Sequence, residues 1–436
     1  MHGYGVYTKG CGNVMANTNL SNAKRNKKDE FYTQWSDIEK EMNAYIDYDP
    51  DVFRNKTILL PADDPFESNF FKFFATKFNE YGLKKLIATS YAPSPIVNTQ
   101  LTLLPELVPE KEIEKTRDKQ ITEAYKIELN EVVDENGTGT VNIDDVITRL
   151  LKEKEVIDSG GNSSILSYLK GDDNPDGKNT FTAGDFRSRE VTLLRDEADI
   201  IVTNPPFSLF RKFIAWVNPT EKQFSIIGNM NAVTYREIFP LIKDNVIWYG
   251  PSISSGDREF MVPDSYPLNA SGYRIDNNGN RFIKVKGVRW FTNIDHGKRH
   301  QPLSLMSMAD NVKFNKRKKF QSVLINGTYP IYDNYPAIEV PETMDIPNDY
   351  DGVMGVPITF LDKFSPDQFT IIGAGDGILY RDFTPNGKGL SKRFVDDYRT
   401  SGQTGQLTYN HPTLGYYNKD GKPVRPYFRI LIERKK

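Results

Sequence analysis

Residues 199–207 read Asp-Ile-Ile-Val-Thr-Asn-Pro-Pro-Phe, and the chemistry they offer is the gripping of an amine. Asn204 is uncharged, so it is a poor general base and no nucleophile; it brings an amide oxygen, and Pro205 brings a carbonyl that no helix uses. Two acceptors converging on one point hold both hydrogens of an NH₂ group and aim its lone pair at an electrophile. Phe207 adds a flat apolar face for a planar ring. The substrate that fits is a planar amine: adenine, cytosine or a carboxamide.

Such a loop needs a rigid mount. Ile200-Ile201-Val202 reads as a strand buried on both faces, and Pro205 and Pro206, lacking N–H donors, end it. Ser208 is the expected cap of a helix in which Leu209, Phe210, Phe213, Ile214 and Val217 repeat at helical spacing. The same strand, turn and helix recur at residues 57–61, where the chain runs through Ala62-Asp63-Asp64-Pro65 to Ser68 and a helix bearing Phe70, Phe71, Phe74 and Phe78. Two acids at the carboxyl end of a strand suit ribose hydroxyls or an ammonium group; acids that satisfy a helix dipole look the same. Residues 84–89 read as a second strand. Asp185, in Ala183-Gly184-Asp185-Phe186, precedes Asn204 by 19 residues, room for one helix and one strand, which brings both to the same sheet edge. The alternation argues an α/β body over about 29–250. The looser stretch of about 91–172 is expected to be an insertion rather than part of the sheet. Within it, Asp134 to Asp145 matches a calcium-loop pattern with Asp as the last ligand, but the alternation over 126–132 favours a strand, a Gly-rich turn and a helix from about Asp144.

Composition bounds the rest. A chain of 436 residues buries a large core and is expected to form two domains. With 38% hydrophobic and 26% charged residues, wholesale disorder is excluded. A net charge of −2 advertises no nucleic acid, so only local basic patches supply such contacts. Cys11 is the sole cysteine, which excludes an internal disulfide and a multi-cysteine metal site. No apolar stretch of ~18 residues exists, and the N-terminus lacks a signal-type core, so the expected setting is cytoplasmic with no membrane contact. Residues 1–28 read as a mobile basic arm, its Lys24, Arg25, Lys27 and Lys28 either a solvated tail or phosphate contacts. Beyond Gly250 the chain turns aromatic and Gly- and Asn-rich, with strands such as 288–292 and 427–431 and no helical crossover rhythm, and is read as a second domain, 251–436. There Lys313, Lys316, Arg317, Lys318 and Lys319 interleave with Phe314 and Phe320, a pairing that suits phosphate contact and stacking and equally a solvated loop. His296 and His300 lie four apart without a helix pattern, so no metal site is expected.

Asn204-Pro205-Pro206-Phe207 is the signature of amino-methyltransferases that use S-adenosylmethionine, and the chain resembles the EcoRI-type DNA adenine-N6 methyltransferase family. The likeness also rests on Asp29-Glu30-Phe31-Tyr32-Thr33-Gln34, Asp63-Asp64-Pro65, Ser68-Asn69-Phe70-Phe71-Lys72, residues 82–88, Gly184-Asp185-Phe186-Arg187-Ser188, residues 351–360 and residues 426–432, in order. The resemblance implies a Rossmann-like methyltransferase sheet with helices on both faces over 29–250, joined to a mixed, strand-rich target recognition domain over 251–436. It implies S-adenosylmethionine as cofactor, double-stranded DNA as partner, a cognate restriction endonuclease acting on the same site, and a monomer that needs no metal. Asn204, Pro205, Pro206 and Phe207 would be catalytic; Phe31, Tyr32 and Thr33 would hold the methionine end of the cofactor, and Asp63 and Asp64 would form its first loop. Asp185 would accept from the cofactor's adenine amine with Phe186 stacked beside it. The Phe-x-Gly-x-Gly turn of most methyltransferases is absent and no acid ends the strand at Thr89-Ser90, so Asp64 is the expected ribose ligand. Lys313, Lys316, Arg317, Lys318 and Lys319 would touch phosphates. The implied reaction is direct methyl transfer to the N6 amine of an adenine flipped from duplex DNA. Two rivals share the features: an amino-methyltransferase of an RNA base or a protein glutamine, and a non-catalytic DNA-binding protein, which the intact Asn204–Phe207 loop disfavours.

Overall fold

The computed structural model describes residues 33–66, 68–91, 124–172, 181–254, 257–262, 272–403 and 406–435; Phe31, Tyr32, Cys11 and the arm over 1–28 lie outside the described residues. The chain divides into two units interleaved in sequence, Met1–Met230 with Ser255–Phe291, and Asn231–Ser254 with Thr292–Lys436.

In the first unit, helix α1 (Trp35–Ile46) turns Ile38, Met42 and Tyr45 inward, the spacing of one helical face. Strand β1 (Thr57–Leu60) is buried at every position, as a central parallel strand must be. Ser68 caps α2 (Asn69–Thr76), its hydroxyl accepting from the N–H groups of Phe70 and Phe71, so that Phe70, Phe71, Phe73 and Phe74 enter the core in register. Helix α3 (Phe78–Tyr81) stops at Gly82, whose φ of 61° is the left-handed conformation that ends helices and costs glycine least. Then follow β2 (Lys85–Thr89), β3 (Ala124–Leu129), α4 (Ile143–Asp158), β4 (Leu166–Leu169), α5 (Arg189–Glu197), β5 (Ile200–Thr203), α6 (Phe210–Val217) and β6 (Gln223–Asn229). The chain leaves for α7 (Phe239–Lys243) and β7 (Trp248–Tyr249) of the second unit and returns with β8 (Asp257–Val262), β9 (Arg274–Ile275), β10 (Arg281–Lys286) and β11 (Val288–Thr292).

Within this unit the main sheet runs β4-β3-β2-β1-β5-β6-β11. Strands β2, β1, β5 and β6 are mutually parallel, with Leu59 opposite Ile87 on one side and Ile201 on the other. Strands β2 and β3 pair antiparallel, as do β3 and β4, so the sheet is mixed. From β1 the chain continues to β2 on one side and later to β5 on the other. The boundary of β1 and β5 is therefore a switch point, where open sheets part their loops into a crevice.

Several expectations change. Residues 124–129 and 166–169, expected outside the sheet, form its antiparallel edge. The strand at 288–292 belongs to this sheet and not to the C-terminal part. Ser208 does not cap a helix: Phe207–Leu209 is one 3-10 turn and the α-helix starts at Phe210. In the calcium-like loop, Asn142 and Asp145 form a capping box for α4, and Asp145 accepts from the N–H of Asn136 (2.9 Å) and of Asn142 (2.8 Å). Asp134 accepts from the N–H of Thr138 and Gly139, so these acids serve the turn itself.

The second unit adds α8 (Met308–Phe314), α9 (Lys318–Val323), β12 (Ala337–Glu339), β13 (Val353–Pro357), β14 (Phe369–Ala374), α10 (Gly377–Phe383), α11 (Lys392–Thr400), β15 (Tyr416–Tyr417), β16 (Pro423–Val424) and β17 (Arg429–Arg434). Its sheet runs β12-β13-β17-β14, parallel between β12 and β13 and antiparallel elsewhere. Phe239 of α7 is buried against Phe383 (ring centroids 5.9 Å) and Phe428, which ties residues 231–254 to this unit. Inside the sheet the Arg429 guanidinium forks onto Glu339 (Nη2–Oε1 2.6 Å), and the Tyr332 hydroxyl donates to the same carboxylate. Gly355 on the intervening strand leaves room for that hydroxyl; a Cβ there would overlap it. Among the described residues no helix is long and apolar enough to cross a membrane.

Candidate active site

The loops that follow β1, β2 and β5, together with the loop before α5, are stitched into one edge. After β1, Ala62 adopts a left-handed φ of 59° and its N–H donates to Thr89 Oγ1 at the end of β2 (3.0 Å). Asp63 Oδ1 accepts from the Ser68 hydroxyl (2.9 Å), and the Ser68 N–H donates to the Asp64 carbonyl (2.7 Å), which closes the turn onto the start of α2. Asn69 Nδ2 then donates to the Thr33 carbonyl (2.8 Å). Thr33 is buried, and among the described residues its hydroxyl has no hydrogen-bond partner.

The two acids of this turn differ in role. Asp63 is half-buried, whereas Asp64 is buried and accepts from the Phe66 N–H (2.9 Å) and from the Tyr125 hydroxyl, 2.7 Å from each carboxylate oxygen. Burial pushes the Asp64 carboxyl up, and the bonds from Tyr125 and Phe66 pull against that rise. Tyr125 lies on β3, so the strand that sequence reading left outside the sheet buttresses the turn after β1.

At the end of β2, the Ser90 N–H donates to the Tyr125 carbonyl (2.8 Å), and Gly184 packs its bare Cα against the Ser90 carbonyl. Its φ of +78° and the overlap any Cβ would make with that oxygen both require glycine. The next residue, Asp185, is buried and gripped by Arg187: Nε on Oδ1 at 2.9 Å, Nη2 on Oδ2 at 2.6 Å, and the Arg187 N–H on Oδ1 at 2.9 Å. The guanidinium also lies 4.5 Å from the centre of the Phe181 ring. Phe186 is buried against Phe213 (5.0 Å) and Trp216 (5.5 Å) of α6, where it locks the loop to that helix.

At the end of β5 the Thr203 hydroxyl donates to the Pro61 carbonyl (3.1 Å), which fastens the start of the Asn204 loop to the turn after β1. Asn204 and Pro206 are half-buried, Pro205 and Phe207 buried. Behind them Phe210 packs on Phe291 (4.9 Å) and over Gly228, where a Cβ would overlap the ring. The structure thus brings Thr33, Asp63, Asp64, Asp185 and Asn204 to neighbouring loops at one sheet edge. Tyr125, Ser90, Thr203 and Arg187 hold them there and were missed from sequence. Only Arg187, two positions after Asp185, carried a local signal.

In the second unit, Lys313, Lys316, Lys318 and Lys319 are exposed. Arg317 is not: its guanidinium pairs with Glu342 and Asp345, and Lys319 reaches Glu342 at 3.3 Å. Burial pushes the Asp345 carboxyl up to about 6, against the pull of Arg317. His296 Nε2 bonds the Tyr249 carbonyl (3.1 Å), and His300 bridges Asp295 and Asp367. Among the described residues no three or more His, Cys, Asp or Glu side chains gather as a metal site.

Comparison with known proteins places these loops in context. The family described as adenine-specific methyltransferase EcoRI matches residues 19–435. The Type II methyltransferase M.EcoRI of Escherichia coli is 40% identical over 370 residues, 85% of this chain and 93% of that protein. The Type II methyltransferase M.MpnI of Mycoplasma pneumoniae is 30% identical over 355 residues, covering 81% of this chain and 84% of its own length. M.MgeORF184P of Mycoplasma genitalium, also a Type II methyltransferase, is 31% identical over 356 residues, 81% and 85% of the two chains. No solved structure matches.

Proposed function

The chain belongs to the EcoRI family of adenine-specific methyltransferases, and we propose that it methylates the N6 amine of an adenine flipped out of duplex DNA at a specific site, with S-adenosylmethionine as donor. The observation that carries this reading is the position of Asn204: on a proline-stiffened loop at the carboxyl end of β5, fastened through Thr203 to the acidic turn after β1 at the sheet's switch point. The β2-β1-β5-β6 parallel core is read as Rossmann-like, with the cofactor lying across that edge.

The residues present fit such a cofactor. The orphaned Thr33 hydroxyl, half-buried Asp63 and the turn capped by Ser68 supply acceptors and a donor for its polar groups. Asp185 Oδ2 takes one bond from Arg187 and keeps lone-pair capacity for an adenine amine. Asp64, engaged by Tyr125, is assigned to holding the turn, and the ribose passes to Asp63, the more exposed of the pair. When bound, the donor supplies an electrophilic methyl group. Asn204 Oδ1 and the Pro205 carbonyl accept from the two N6 hydrogens, which localises the nitrogen lone pair and points it at that methyl; the amine's surplus proton leaves to water. Phe207 is buried in this state and would flank the ring of the flipped base.

The second unit is read as the target recognition domain, and a restriction endonuclease cutting the same sequence is the expected counterpart of a monomeric cytoplasmic enzyme. Asn204→Ala is expected to abolish methyl transfer to duplex DNA while calorimetry still registers S-adenosylmethionine binding. Full activity of that variant would remove Asn204 from the chemistry, and methylation of RNA or protein in place of DNA would favour the rival acceptors.

A further inference from the structure

The link between α8 and α9 is sorted by side. Asn315 and Arg317 turn inward: Asn315 Nδ2 donates to Asp345 Oδ1 (2.7 Å), its Oδ1 accepts from Arg317 N and Nε (3.2 Å each), and the Arg317 guanidinium pairs with Asp345 and Glu342. Phe314, Lys316 and Lys318 alternate with them and are exposed. The backbone is extended at Asn315 (φ −79°, ψ 104°) and Arg317 (φ −64°, ψ 132°), so side chains point alternately in and out. The inner partner is fixed. Asp345 is fully buried, its carbonyl accepts from the Tyr329 hydroxyl (2.6 Å), and Tyr329 packs on buried Phe320 (5.4 Å). On the outer side Lys313 lies 4.9 Å over the ring of Phe314, which is 58% exposed although large and apolar.

We infer that residues 313–318 are a preset contact strip for duplex DNA, in which Lys313, Lys316 and Lys318 meet phosphates, Phe314 meets the sugar–base face, and Arg317 positions the strip by its grip on Asp345 without touching DNA. The inference rests on the reading of the chain as a DNA methyltransferase and deepens it by naming contacts and separating them from their support. Charge complementarity selects the occupant. Three exposed ammonium groups flank one exposed aromatic ring, and the two acids on the inner side are engaged, Asp345 by Arg317 and Glu342 by Arg317 and Lys319. A strip held in its binding conformation loses little freedom on binding, which is the advantage of tying its alternate residues to a buried acid.

The test follows the full-length protein binding a fluorescently labelled duplex of mixed sequence, by anisotropy across a salt series. K316A/K318A is expected to lower the slope of log affinity against log salt by about 1.8, that is ~0.9 for each phosphate. F314A is expected to weaken binding about tenfold at every salt with the slope unchanged. R317M is expected to lower the slope by more than one contact's worth, and adding K316A/K318A to it should then change little. R317K, which keeps the charge but loses the fork, should behave as R317M. Independent, additive slopes, or wild-type behaviour of R317K, would make Arg317 an ordinary phosphate contact and overturn its positioning role. An unchanged slope in K316A/K318A, whose substitutions touch only exposed side chains, would overturn the strip. If the wild-type protein binds and methylates duplex DNA while these variants match it, this inference alone falls; if the wild type binds no duplex, the DNA reading falls with it.

Discussion

Asp64 sits at the end of β1 with almost no water around it, and the hydroxyl that serves its carboxylate comes from Tyr125, 61 positions later. A carboxyl raised by burial is penalised in its charged form, so its contribution to stability falls as pH rises through the folded-state value. The Tyr125 bond offsets part of that penalty in the charged form. Tyr125→Phe is therefore expected to destabilise the protein by about 1–3 kcal/mol, more in alkaline than in acid buffer, as read by chemical denaturation at several pH values. Equal loss across the series would mean that Asp64 is held neutral and the hydroxyl merely fills space. Arg187 plays the matching part at Asp185, with a fork that fixes both carboxylate oxygens. In each case the residue to which family likeness gives a role is an acid, and the residue that decides where the acid points is one to which it gives none.

Elements were legible where their signals are local. The strand, proline turn and helix over 200–217, the Ser68 cap, and the apolar faces of α2 and α6 all follow from neighbours within a few positions. What the chain hid was pairing at a distance. Nothing near residue 126 says that its strand will lie antiparallel to β2, and nothing near Arg317 reveals that its partners stand 25 and 28 positions on. A basic run was visible; its division into anchors and exposed residues was not. The turn Gly297–His300 offers a pH-dependent case of the same kind. The His300 ring donates to Asp367 (2.9 Å) and to Asp295 (2.9 Å), which raises its affinity for a proton above the ordinary value of 6.5. That raised value gives stability that is complete below pH 6.5 and lost as pH climbs through the folded-state value. His300→Gln should thus lower the melting temperature in mildly acidic buffer and leave it unchanged well above neutrality; a uniform decrease would mark the ring as packing alone.

At the scale of the molecule, the interleaving of the two units has a practical side. Residues 231–254 belong with 292–436, through Phe239 on Phe383 and the Trp248 indole N–H on the Ile294 carbonyl (3.1 Å), while 255–291 supply β11 to the sheet of the first unit. A fragment of residues 251–436 would lack nearly all of the first of these and would carry β11 without its sheet neighbour β6. It is expected to be insoluble or poorly cooperative, whereas 231–254 linked to 292–436 should unfold in one sharp transition by circular dichroism. Sharp unfolding of the contiguous fragment would mean that the division at 230 and 255 is not a folding boundary. The same crossing pattern bears on heredity. A single recombination event between two such genes near codon 250 would join half of one unit to a foreign half, so inheriting the second unit intact requires two separated gene segments to be exchanged at once.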